Sequence, residues 1–249
     1  MAHIYHKRTN TRLEIIRLAA RTFLEKGYTK VSAKHLAEEL DLSPGNITFY
    51  FPTKEHLLAV VVDMLFEFQE LKLEAAANEG QSSLLAYCLE LATIVAVCEE
   101  NEAARDFFVA SYSSELTLDL IRRNDTEKTK RVFSAFSPDW EEEKWAATEN
   151  VVSGIEYGTI VTREEKTPLP VQIERALDAI LTVYGVPKDT RETKIAKVLA
   201  MDYRGISRNL FLGFRTFIDE VTEESLREAM EEKRRKRAAT SPPRAEENE

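Results

Sequence analysis

Apolar and polar residues follow one another along this chain with the period of an α-helix almost throughout. In TRLEIIRLAARTFLEKG, residues 11–27, Leu13, Ile16, Ala20, Phe23 and Leu24 recur at steps that keep them on one helical face. Gly27 follows as a stop signal. Ser32 is placed to cap a second helix, SAKHLAEEL, with Leu36, Ala37 and Leu40 inward. After the short linker DLS, Ser43-Pro44 supplies an N-cap and a proline at the first helical position. Pro52-Thr53 closes that third helix and caps a long fourth, KEHLLAVVVDMLFEFQELKLEAAA. Further helices are predicted over 82–99, 102–111, 114–135, 139–162, 170–185 and 190–220. Gly80, Asn101, Ser113, Ser137-Pro138, Thr167-Pro168 and Gly185-Val186-Pro187 separate them. No stretch alternates as a half-buried strand does.

The fold class that follows is all-α. A three-helix head containing a helix-turn-helix occupies residues 1–56, and a larger helical bundle occupies 57–221. A polar tail, 222–249, is expected to lack order from about residue 233, because it has too little apolar surface to bury. Its KRRKR cluster reads as a solvated run flanked by acids.

The unit 32–51 is a helix, a three-residue turn and a short helix, the arrangement that presents a second helix to the major groove of DNA. Counting around the short helix sorts its residues. Ile47 and Phe51 share a face that must be the inner one, since both are large and apolar. Gly45, Asn46 and Phe49 then point away, with Thr48 and Tyr50 on the flanks. Such a face suits a groove. Glycine lets the backbone approach closely, asparagine pairs with base edges, and apolar groups pack on thymine methyls. Thr48 and Tyr50 are phosphate donors. Lys54, a cation in the first turn of the next helix, opposes the helix dipole unless a phosphate faces both.

Charge changes the picture of a −9 chain. Residues 1–56 hold nine Lys/Arg against six acids and all four histidines, whereas the other 193 residues hold 25 basic against 37 acidic groups. A small cationic module on an acidic body is the pattern expected of a nucleic-acid reader. The longest apolar run, 57–66, is half a membrane span and is interrupted by Asp63, and no signal peptide precedes it, so a cytoplasmic protein is expected. Cys88 and Cys98 lie ten residues apart on one predicted helix, too far for a bridge between them, and read as small buried hydrophobes, with a thiol sensor as the alternative. A phosphate-binding glycine loop, a His/Cys metal spacing and a nucleophile elbow are all missing, which argues against an enzyme, a metal centre or a cofactor.

The ordered set Phe23, Gly27, Val31-Ser32, Leu36-Ala37, Leu42-Ser43, Ile47, Phe49-Tyr50-Phe51 and Lys54-Glu55-His56-Leu57 resembles the DNA-binding head of the TetR family of bacterial transcriptional regulators. The match spans about a fifth of the chain. Two positions depart from the common pattern: Asp41 stands where a turn glycine is frequent, and Thr48 where tyrosine is. Asp41 is tolerable because aspartate enters the φ > 0 region more readily than most residues. By matching position, the resemblance implies DNA contacts from Lys34, Ser43, Asn46, Thr48, Phe49, Tyr50 and Lys54, with arm contacts from Lys7 and Arg8 in HIYHKRTNTR.

The resemblance also implies a homodimer on a pseudo-palindromic operator, released by a small-molecule effector. Dimer surfaces are expected on the late helices, from Ala147, Val151, Gly154, Ile155 and Gly158, from 170–185, and from Ile206, Leu210, Phe214 and Phe217. Packing within the monomer is the other reading of those faces. Candidate pocket residues are Tyr87, Cys88, Phe107, Phe108, Tyr112, Trp145, Glu149 and Tyr157, which mix aromatic walls with hydroxyls and one acid. The function expected is a DNA-binding transcriptional repressor. The alternative is a DNA-associated architectural or partner-controlled regulator with no small-molecule effector.

Overall fold

A computed structural model describes residues 2–77, 84–162 and 167–222, with 224, 225, 228 and 231; for 2–10, 70, 71 and 74–77 it describes the backbone alone. Among the described residues it is all helix: α1 (Ala2–Lys26), α2 (Ala33–Glu39), α3 (Pro44–Tyr50), α4 (Lys54–Ala77), α5 (Leu84–Glu100), α6 (Glu102–Ser113), α7 (Glu115–Phe133), α8 (Glu142–Val161), α9 (Leu169–Val183), α10 (Lys188–Ala200) and α11 (Tyr203–Glu220). None of these helices is long and apolar enough to cross a membrane. The KRRKR cluster and the last eighteen residues lie outside the described residues.

Two expectations about helix ends are corrected. Helix α1 starts at Ala2, so the backbone of 3–10 continues the helix and forms no separate arm. No glycine or proline interrupts the chain before Gly27. The side chains of Lys7 and Arg8 lie outside the described residues. The predicted helix 190–220 is two helices. Met201 is extended, and the Asp202 side chain accepts from the Gly205 N–H at 2.9 Å, capping α11 afresh. A Cβ at position 205 would meet that carboxylate, which fits glycine there.

One continuous core runs from the head into the bundle. Ile16, Phe23, Leu36 and Ile47 of the head join Leu57, Val61 and Leu65 of α4, Phe107 of α6 and Phe214 of α11. The 56/57 boundary therefore falls at the base of α4, whose first turns complete the head's interior. A second core gathers α5, α8, α9 and α10 around Leu85, Ile173, Leu177 and Tyr184. At its centre Phe133 stacks on Tyr184 with ring centroids 4.2 Å apart.

Helix α11 spends its apolar face on this chain. Phe214 packs on Phe68, Ser207 donates to the Thr93 carbonyl at 2.7 Å, and Ile206, Leu210 and Phe217 lie against the two cores. Of the residues expected on a dimer face, Phe214 is buried within this chain, whereas Ile206, Leu210 and Phe217 are partly buried against the two cores. The outer side of α8 is different. Ala147, Val151 and Gly154 are exposed, and a Cβ added at Gly154 or Gly158 would touch nothing within 4 Å. Both cysteines are unbridged and buried, and burial pushes the Cys98 thiol up to about 12, the opposite of what a reactive sensor needs.

Candidate DNA interface and internal cavity

The head is built by caps and a tight turn. Ser32 Oγ accepts from the His35 N–H at 3.1 Å and starts α2. Asp41 has φ +52°, and the Leu42 N–H reaches back to the Ala37 carbonyl at 2.8 Å, which turns the chain into α3. The aspartate in place of the frequent glycine is accommodated as its chemistry allows.

Helix α3 shows the division that the residue count gave. Ile47 and Phe51 are buried, whereas Pro44, Gly45, Asn46, Thr48 and Phe49 are exposed and Tyr50 lies at the rim. Phe49 is 68% exposed, more than any other large hydrophobic side chain among the described residues. Its ring meets Tyr50 edge-on at 5.1 Å. Ser43 Oγ donates to Asn46 Oδ1 at 2.5 Å, which turns the amide so that its N–H₂ is the group left to a base edge. Thr48 Oγ1 donates back to the Gly45 carbonyl at 3.2 Å, leaving its methyl for an apolar contact. Lys34 is exposed and sits 3.7 Å from Glu38, one helical turn away.

Lys54 is placed differently from its neighbours. Its ammonium donates to the Tyr28 and Val31 carbonyls at 3.0 and 2.9 Å and lies 3.9 Å from the centre of the Tyr28 ring. Burial lowers its pKa. The side chain thus ties α4 to the turn between α1 and α2. Tyr28 also donates to Glu55 Oε1, at 3.2 Å. On the other side of that turn, Asp106 of α6 accepts from the Thr29 N–H at 2.7 Å and its hydroxyl at 2.9 Å. Gly27 has φ +91°, and a Cβ there would lie 2.7 Å from the same carboxylate, so glycine is needed twice over.

The residue after Asp106 begins the wall of a narrow cavity of about 40 Å³. Phe107, Phe108 and Tyr112 of α6 line it, with Tyr87 and Leu91 of α5, Leu65 and Phe66 of α4, and Asp125, Lys128 and Glu156 of α7 and α8. Of the pocket residues expected from sequence, Tyr87, Phe107, Phe108 and Tyr112 are therefore brought together. Glu149 lies behind the wall, accepting from the Tyr184 hydroxyl at 2.8 Å. Cys88 and Trp145 belong to the second core, and Tyr157 stacks beside Tyr112 without lining the cavity.

Sequence reasoning missed Asp125, Lys128 and Glu156. One signal was present: Glu149 and Glu156 are seven residues apart, two helical turns, on a segment, 145–161, with no other charged residue. Carboxylate oxygens of Asp125, Glu149 and Glu156 lie within 4.8 Å of one another. Burial, then mutual repulsion, raises Asp125 well above the usual carboxylate range. Burial, then the charge of Glu156, raises Glu149 to about 8, and burial raises Glu156 to about 7. Tyr112 donates to Glu156 Oε2 at 2.9 Å, while Lys128 is ion-paired with Glu90.

Residues 15–61, the stretch from α1 to the first turns of α4, match the family described as bacterial regulatory proteins, tetR family. This head is thus similar to the DNA-binding segment of the TetR family. Over 80 residues it is 30% identical to YuxN, an uncharacterized HTH-type transcriptional regulator of Bacillus subtilis (strain 168); that stretch is 32% of this chain and 28% of the relative's length. A crystal structure of a gamma-butyrolactone receptor (ArpA like protein) aligns over 84% of this chain and 99% of its own, with 17% identity and a TM-score of 0.39. In this head, the helix-turn-helix is the unit formed by α2, the Asp41 turn and α3.

Proposed function

We propose that this chain is a cytoplasmic transcriptional repressor that binds a pseudo-palindromic operator as a homodimer and leaves it when a small molecule enters the cavity. One observation carries the reading: Phe49 stands exposed beside Asn46 on the outer face of α3, while its neighbours Ile47 and Phe51 are sealed in the core. An exposed aromatic ring beside an asparagine on the outer face of a short helix is a surface that a groove of stacked bases can cover. Ser43, Asn46, Thr48, Phe49 and Tyr50 then face the duplex, with Lys34 on a flanking phosphate.

Release needs a path from cavity to head, and α6 supplies one. Phe107, Phe108 and Tyr112 touch the cavity, while Asp106 on the same helix holds Thr29 of the head. A ligand that shifts α6 moves the turn behind α3. A tenfold loss of operator affinity requires ~1.4 kcal/mol of coupling, a small demand on a helix bonded at both ends. The cavity is what favours this reading over a partner-controlled architectural protein.

Two results test the interface, both read by titrating labelled duplexes. Lys34→Ala should flatten the dependence of log K on log salt by about 0.9 per head, the signature of one lost phosphate contact. Asn46→Ala should relax preference at one operator position at a cost of about 1–3 kcal/mol. If the preferred sequence is unaltered, Asn46 reads no base.

A further inference from the structure

Three acids in one place are usually a solvated cluster, but these are not. Glu149 is fully buried, and its Oε1 has no hydrogen-bond partner among the described residues. The Tyr87 hydroxyl, on the cavity wall, is likewise buried and unpartnered, on a residue only 7% exposed. Unpaired buried polar groups are rare and costly. They stand beside three converging carboxylates, and the Glu149 oxygen, an acceptor, is satisfied by a donor or a cation.

We propose that the cavity takes an organic cation with an apolar body, its positive group seated on the carboxylates of Asp125 and Glu156 in the wall, with that of Glu149 directly behind them. This deepens the effector role proposed above and rests on it. The rest of the cavity decides between an organic cation and a metal ion. Leu65, Phe66, Leu91, Phe107, Phe108 and Ile160 supply apolar and aromatic wall, and aromatic faces attract organic cations. A hard divalent ion wants six or more oxygens in a polar shell. Here Glu149 and Glu156 already accept from Tyr184 and Tyr112.

The charge balance agrees. The basic groups whose fields reach Glu149 are Lys128, ion-paired with Glu90, and Arg122, which donates to Ser153 Oγ at 3.0 Å. Both lower the Glu149 pKa and Lys128 lowers that of Glu156, yet the net direction remains upward. Without a ligand the trio therefore retains protons near neutrality. A cation favours the ionised carboxylates and releases those protons on binding, so its affinity rises with pH through the range in which they titrate.

The test uses the whole chain without DNA. Benzyltrimethylammonium, whose charge is permanent, is titrated by calorimetry, beside benzenesulfonate and Mn²⁺. The cation should bind and raise the melting temperature, with affinity increasing between about pH 6 and about pH 9. Glu156→Gln should weaken it by about tenfold or more, and benzenesulfonate should not bind. Glu149→Gln, which keeps an acceptor for Tyr184, should weaken it as well. Removing one acid from a crowded trio relieves repulsion, so neither variant threatens folding. Equal binding of cation and anion, unchanged affinity in both variants, no binding of the cation, or binding of Mn²⁺ alone would each overturn the assignment. Because the readout contains no DNA, such a failure removes the ligand class and leaves the regulator to be judged by its operator.

Discussion

Val151→Arg is expected to separate the proposed dimer and lower operator affinity by about 10²- to 10⁴-fold, the gain that linking two binding modules supplies. Val151 is 54% exposed at the middle of a stripe of small residues on α8, formed by Ala147, Val151, Gly154 and Gly158. These positions repeat at steps of three and four and share a face. In the proposed dimer, that stripe lets a second helix approach closely. Val171 of α9 is also exposed, at 40%. An arginine there buries an unpaired charge in the dimer and meets only solvent in the monomer. Monomer stability should therefore change by less than about 0.5 kcal/mol, while light scattering reports half the mass. A single head neutralises few phosphates and binds weakly alone. If Val151→Arg remains dimeric, the subunits meet through another surface.

Lys54→Ala is the second large effect, and it falls on the head itself. The variant loses two charge-assisted hydrogen bonds to the Tyr28 and Val31 carbonyls and the contact with the Tyr28 ring. Hydrogen bonds to charged groups contribute about 1.5–3 kcal/mol each where fully buried. Lys54 is only partly buried, so water replaces some of that, and a loss of about 2 kcal/mol in all is expected. Thermal unfolding measures it. Operator affinity should fall on every sequence because the turn that supports α2 and α3 loosens, while the salt slope stays as in the parent protein. An unchanged melting temperature with a flatter salt slope would instead return Lys54 to the phosphate backbone.

Much of the head was legible because its signals are local. Ser32, Pro44 and Gly27 mark ends by backbone chemistry, and the 100° step alone separates Ile47 and Phe51 from Phe49. Asp41 at φ +52° follows from the same kind of reasoning. The break at Met201–Asp202 was missed because the helical period of 190–220 continues across it; the cue was Asp202 three residues before Gly205. The destination of Lys54 was hidden for another reason. Dipole arguments say that its charge needs a partner, and only the fold shows that carbonyls 23 and 26 residues earlier provide one. The acid trio is hidden in the same way, since Asp125 comes from α7 and both glutamates from α8. Aromatic composition pointed to Tyr87, Phe107, Phe108 and Tyr112, yet nothing in it distinguishes Trp145, whose indole donates to the Trp140 carbonyl inside the second core.

The account depends on paired α3 helices reading duplex DNA. Selection of bound sequences from a pool of random duplexes tests this most directly. It should enrich a two-fold symmetric site whose half-sites lie one or more helical turns apart, about 34–36 Å per turn. A pool that enriches no sequence, or only a lone half-site bound by a monomer, would contradict it.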